Sequence, residues 1–214
     1  MKTLTQRLTR IAVLLFAPLA LAACGINSIP TKEEKAKAQW AEVQNQYQRR
    51  SDLIPNLVAT VKGYAAQESS VLIGVSEARA GAMQVKSDAS ITTDPAAFQR
   101  YAAAQNSLSV ALAPMRVLQE NYPDLKSNQN FMALQSQLEG TENRIAISRR
   151  DYNEAVRDFN TTLRTFPQVF WAKTMYAASK PMELFQATAS AQAVPSVDFA
   201  PAGAAPGSAP PEPK

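Results

Sequence analysis

Six large apolar residues spaced seven apart constrain this chain more than anything else in it: Phe131, Leu138, Ile145, Tyr152, Phe159 and Phe166. Their d-type partners are Leu134, Thr141, Ser148, Ala155 and Thr162. A seam sustained this long demands a helix packed lengthwise against other helices, with coiled-coil-like geometry and a left-handed twist. The spacing predicts a continuous helix from about Ser127 to Phe166, roughly 55–60 Å long at 1.5 Å per residue. The small d-type side chains let a neighbouring helix approach closely or accept a large side chain. Pro167 ends the run, and Pro167 to Met175 reads as a short further helix carrying Val169, Phe170 and Trp171.

The partners of that helix lie upstream. From Glu33 to Lys86 apolar residues recur at spacings of three and four: Trp40, Val43, Tyr47, Ile54, Leu57, Val61, Tyr64, Val71, Val75 and Ala78. Pro55 interrupts this run without changing its phase, which predicts one kinked helix. Lys86 to Thr93 is polar and reads as a loop. Asp94-Pro95 is an N-cap followed by proline at the first helical position. The helix it opens carries Phe98, Tyr101, Leu108, Leu112, Met115 and Leu118, is bent at Pro114 and stops at the turn Tyr122-Pro123-Asp124. Tyr47, Tyr64, Tyr101 and Tyr152 sit at helical spacing as core tyrosines whose hydroxyls reach the surface. The fold class is therefore all-α, an elongated antiparallel helical bundle with long kinked helices. An apolar content of 46% with only 7 glycines fits it.

The flanks differ from this core. Residues 1–23 have a basic start (Lys2, Arg7, Arg10), an apolar stretch and small residues before Cys24, which together read as a lipoprotein signal peptide. Cys24 is the only cysteine, so lipidation is the chemistry expected of it. A multiply acylated terminus is a durable membrane anchor. The expectation is a protein tethered to the bacterial cell envelope and facing the periplasm. Gly25 rather than Asp after the cysteine directs it to the outer membrane in an enteric-type sorting system. Residues 24–32 read as the linker from the anchor and 33–186 as the bundle. Residues 187–214 read as a disordered Pro/Ala-rich tail, since six of the 14 prolines fall between Pro195 and Pro213.

Charge and absences narrow the function. The formal charge is +4, but the signal segment holds three of the 22 basic residues and no acidic one, leaving 19 against 18 and a net of +1. Nucleic-acid binding loses its electrostatic support. Histidine is absent, which removes imidazole acid–base chemistry and His-ligated metals. No cofactor and no metal site is expected. The chemistry-bearing residues are polar groups on or beside the apolar seams. Arg50 and Glu68 fall on the first seam, with Arg49, Asp52, Asn56 and Arg79 close to it. Glu142 and Arg149 flank Thr141 and Ser148 on the last. A charge inside a bundle is costly unless paired. One reading makes these residues interhelical pairs that set register, and Arg50 with Glu142 is the pair expected. The other makes them the lining of a cleft for a partner or ligand. Glu68, Glu139 and Glu142 are the carboxylates that a sugar hydrolase would need to converge.

Several runs resemble the LemA family: Trp40; Asn45-Gln46-Tyr47-Gln48-Arg49-Arg50-Ser51-Asp52-Leu53-Ile54-Pro55-Asn56-Leu57-Val58; Val61-Lys62-Gly63-Tyr64-Ala65; Glu77-Ala78-Arg79; Tyr122-Pro123-Asp124-Leu125-Lys126; Leu138 to Ile145; and Arg149 to Asn153. The likeness spans roughly residues 33 to 175. It implies an antiparallel helical bundle attached to the envelope and implies no known activity. A transmembrane start is common in the family, whereas this chain carries a lipobox and adds a tail. The function expected is a membrane-anchored interaction or scaffold module, not an enzyme, with an envelope protein as partner. The alternative is a ligand sensor or a carboxylate-based envelope hydrolase.

Overall fold

The computed structural model describes residues 25–186, and the expectations for the signal peptide, Cys24 and the tail lie outside them. Among the described residues all regular structure is helical: α1 (Ser28–Tyr64), α2 (Ser69–Gln84), a 3-10 turn (Ala89–Thr93), α3 (Pro95–Asn121), α4 (Pro123–Lys126), α5 (Gln129–Thr162) and α6 (Gln168–Thr174). The four long helices run up, down, up and down. Arg79 of α2 reaches back to Ser51 of α1, Trp40 of α1 lies level with Phe98 and Tyr101 of α3, and also with Tyr152 of α5. The two most extensive helix pairings are α1 on α5 and α2 on α3. No comparable backbone contact joins α3 to α5. Among the described residues no helix is long and apolar enough to cross a membrane.

The heptad seam of α5 sets this arrangement. Phe131, Leu138, Ile145, Tyr152 and Phe159 are buried, as are Thr141, Ser148, Ala155 and Thr162 between them. These small d-type residues suit close approach of a neighbour, and α1 is the helix that packs most extensively on α5. Side-chain N-caps open the two helices α3 and α5. Asp94 accepts from the amides of Ala96 and Ala97 at 3.0 and 3.1 Å, and Asn128 accepts from Phe131 N at 2.9 Å.

Three boundaries and one burial assignment differ from the sequence reading. The run from Glu33 to Lys86 is two antiparallel helices joined by a turn at residues 65–68, not one kinked helix. Its seam kept phase because both helices turn their apolar faces to one core; periodicity identifies a face, not a reversal. Gly63 and the Glu68-Ser69 start mark the break. Helix α1 also begins at Ser28, within the expected linker, because Ile29 joins the core. The last helix stops at Thr162, so Phe166 leaves the seam and is 85% exposed. Tyr64 is half exposed and its hydroxyl accepts from Asn128 at 2.7 Å, so it is not a core tyrosine.

Residues 179–186, without helix or strand, form a strap that periodicity could not announce. Asn160 and Asn153 of α5 hold it by paired bonds. The Asn160 amide exchanges bonds with Met182 at 2.8 and 2.9 Å. Asn153 does the same with Phe185 at 2.9 Å each way. Tyr152 Oη donates to Glu183 O at 2.9 Å, and Glu183 N donates to Thr92 O at 2.7 Å.

Candidate functional site

A polar layer crosses the bundle at its middle. Arg50 occupies a seam position of α1 and is 1% exposed. Its Nη1 donates to Ser109 Oγ at 2.6 Å and to Glu142 Oε1 at 2.9 Å. Its Nη2 donates to the carbonyl and side-chain oxygens of Gln105 at 3.0 and 2.7 Å. The guanidinium lies 5.1 Å from the Tyr47 ring centroid. Gln105 is itself buried and donates to Ala82 O at 3.4 Å. One arginine thus ties α1 to α3 and α5, and Gln105 extends the link to α2. Four of its donor bonds are matched; Nε has no partner. The acceptors are what make a buried guanidinium tolerable, and its planar fork is the shape that serves several at once.

Beside this layer, between α3 and α5, lies a cleft of about 270 Å³. Leu57, Leu112, Met115, Phe131 and Leu138 line it with Ala113, and Ser109, Arg116, Gln135, Glu139 and Glu142 supply its polar groups. The gap lies where α3 and α5 make no extensive backbone contact, and Phe131 is the one aromatic ring in its lining. On the other side of Gln105 a more polar pocket of about 330 Å³ lies among Gln44, Tyr47, Ser51, Ser87 and Tyr101.

The structure brings together Arg50 and Glu142 from the sequence-derived set. Glu142 is one-third exposed, so the pair has one buried and one cleft-facing member. Glu68 is not in the interior. It precedes α2 at the far end of the bundle and accepts from Tyr122 Oη at 2.8 Å. That bond raises the Tyr122 hydroxyl above its ordinary range, because the neutral phenol is the donor. Arg49, Asp52 and Asn56 are exposed on the outer face of α1 and take no part in the layer. Asp52 accepts from Gln48 at 2.7 Å. Arg149 places its guanidinium 4.5 Å from the Phe185 ring and so braces the strap. The three carboxylates of the hydrolase reading do not converge: Glu139 and Glu142 share the cleft, and Glu68 is bound elsewhere.

Arg79 has a role that spacing alone does not reveal. Pro55 lies inside α1 and has no N–H to give to the Ser51 carbonyl one turn earlier. Arg79 Nε from α2 donates to that carbonyl at 2.8 Å. The orphaned acceptor left by the proline is thereby filled from the neighbouring helix, and α1 runs on through Pro55. Sequence reasoning also missed Gln105, Ser109 and Asn160. Gln105 was legible: it stands four residues after Tyr101 and three before Leu108, on the seam of α3.

On the other side of the layer the core is aromatic. Trp40 meets Phe98, Tyr101, Tyr152 and Phe185 at ring-centroid distances of 5.8, 5.4, 5.4 and 6.0 Å. Burial pushes the hydroxyls of Tyr101 and Tyr152 well above their ordinary range, and that of Tyr47 upward as well. Among the described residues no group of three or more His, Cys, Asp or Glu side chains is placed to hold a metal ion.

Comparison with known proteins adds three findings. The LemA family pattern matches residues 39–199. The magnetosome protein MamQ of Magnetospirillum gryphiswaldense is 24% identical over 175 residues, covering 74% of this chain and 64% of that protein. Magnetosome protein MamQ 1 of Paramagnetospirillum magneticum is 24% identical over 157 residues, covering 66% of this chain and 58% of its own length. The chain therefore spans about three-fifths of the length of these curated relatives.

Proposed function

Taking as premise that the chain belongs to the LemA family, we propose that it is a lipid-anchored envelope protein that binds a partner protein through the α3–α5 cleft. Family and relatives support membrane association and name no catalytic activity. The attachment is acylation of Cys24, supported by the lipobox-like end of residues 1–23. Gly25 favours the outer over the inner membrane in a Gram-negative host.

One observation carries the binding role. The charged pair of the polar layer, Arg50 with Glu142, opens on one side into an apolar-floored cleft, and Glu142 belongs to both. A floor of leucines, Met115 and Phe131 with charges at the rim suits the apolar face of a helix better than a polar substrate. At about 270 Å³ the cleft lies just below the usual size of small-molecule sites. The absence of histidine and the dispersal of Glu68 from Glu139 and Glu142 both argue against hydrolysis.

The test is a photocrosslinking residue placed at Ala113, in the cleft, and separately at Ile147, half exposed and outside it. Irradiation of intact cells should give a discrete adduct from position 113 and none from 147. Adducts of equal yield at both positions, or none at 113, would reject the cleft as the binding surface. A Cys24→Ser chain that still takes up labelled acyl groups would reject the anchor.

A further inference from the structure

Residues 163–180 combine features that the bundle does not require. They carry three large, exposed apolar side chains: Phe166 at 85%, Met175 at 60% and Phe170 at 58% of full exposure. Phe170 meets Trp171 edge-on at 5.1 Å, and Trp171 packs against the core. The charged residues of this stretch are Arg164, Lys173 and Lys180, all basic and all exposed. Aromatic residues beside basic ones, with no acidic residue among them, is the composition of a segment that lies in a membrane interface.

Its position matches. Leu163 shares a buried cluster with Ile29, in the first turns of α1. Ser179 Oγ donates to Glu33 Oε2 at 2.8 Å, and α6 packs on α1. Cys24 precedes the start of α1 at Ser28 by only four residues, and the Gly25 carbonyl already accepts from Ser28 Oγ at 2.7 Å. The exposed aromatics and the start of α1 at Ser28 are at one end of the bundle.

We propose that residues 163–180 are a bilayer-contacting face that seats Phe166, Phe170 and Met175 in the headgroup region of an anionic lipid surface. The inference rests on the anchored reading for its orientation. A short tether then holds this end of the bundle at the interface, and Arg164, Lys173 and Lys180 meet the lipid charge. Partition of three large apolar groups adds to acyl insertion and fixes which end of the bundle faces the membrane, leaving the α3–α5 cleft in the half farther from it.

Two arms test this separately from acylation. In the first, the full acylated chain carrying Phe170→Cys is labelled with an environment-sensitive thiol dye and reconstituted in vesicles of phosphatidylglycerol and brominated phosphatidylcholine. Cys24 is the sole native cysteine, so one dye per chain reports acylation and two reject the anchor. The dye at 170 should be strongly quenched relative to one at Ile147→Cys; equal quenching overturns the face. In the second, the mature chain with Cys24→Ser is titrated with the same lipids by sedimentation. Phe166→Ser with Phe170→Ser should weaken partition about tenfold or more, and Lys173→Glu should weaken it on anionic but not on neutral vesicles. Partition unchanged by either variant overturns the proposal even where Cys24 is acylated.

Discussion

The two halves of this bundle share α1, α3 and α5 and differ in how they are closed. On the side where α1 begins, Trp40, Phe98, Tyr101, Tyr152 and Phe185 fill the space between α3 and α5, and the strap of residues 179–186 is bonded over it. On the other side, Leu57, Leu108, Met115, Leu118 and Leu138 with the single ring of Phe131 leave that space partly open, and it remains a cleft. Arg50 and its acceptors separate the two apolar clusters. The lesson is that one seam repeat can give a closed core or a groove. Side-chain size at a few α3 and α5 positions decides which.

The contrast is most sharply strained by large-to-small changes in the two halves. Trp40→Ala removes the ring that four others surround and should cost about 4–5 kcal/mol, near the top of the range for such truncations. Phe131→Ala, beside a space that already exists, should cost about 2–3 kcal/mol, below the usual range for Phe. Urea unfolding of both variants checks the order, and equal losses would erase the distinction.

Next is the boundary. Glu142→Ala removes the charged acceptor of Arg50 but leaves Gln105 and Ser109, so the loss should be about 2–3 kcal/mol, less than for a pair with no other support. A double-mutant cycle with Arg50→Met should give coupling of at least about 1 kcal/mol. Zero coupling would mean the ion pair does not join the halves.

Adding bulk should separate the halves in the other direction. Ala155 is 1% exposed in the aromatic half, and Ala155→Leu should cost about 1–3 kcal/mol by overpacking. Ala113 borders the cleft, and Ala113→Leu should change stability by no more than about 0.5 kcal/mol while abolishing partner crosslinking from a probe at Arg116, which also lines the cleft. A destabilised Ala113→Leu protein would show that the cleft is not free space.

The smallest effect near neutrality is that of pH. Tyr101 and Tyr152 ionise in the folded protein only well above the ordinary tyrosine range, because burial disfavours the phenolate. Their raised folded-state pKa gives stability that is fully present below about pH 10, the unfolded value, and is lost as pH climbs beyond it. The melting temperature should therefore hold constant from pH 6 to 9 and fall above 10. In a Tyr152→Phe variant the fall should be shallower.

Much of this was legible in the residues. Phe131 to Phe159 lie buried along α5 as their sevenfold spacing requires, and Asp94-Pro95 caps α3. Arg50 stands on the α1 seam and meets Glu142. Glu68 was misplaced because the phase of the seam carried through a chain reversal, and Phe166 because nothing in a heptad count shows where packing partners end. The strap was hidden for a different reason. Its hold on the bundle comes from Asn153 and Asn160 bonding backbone groups, and a segment bound through its backbone leaves no period in its sequence. The role of Arg79 needs three residues on two helices and is readable only once they are side by side.

The claim that Arg50 and Glu142 divide a closed half from an openable one is tested most directly by native-state hydrogen exchange along α5, a single helix that crosses the boundary. Amides from Tyr152 to Phe159 should exchange only through global unfolding. Those from Phe131 to Leu138 should exchange through a smaller opening of lower free energy, with the step falling between Thr141 and Ile145. Uniform protection along the whole of α5 would contradict the division.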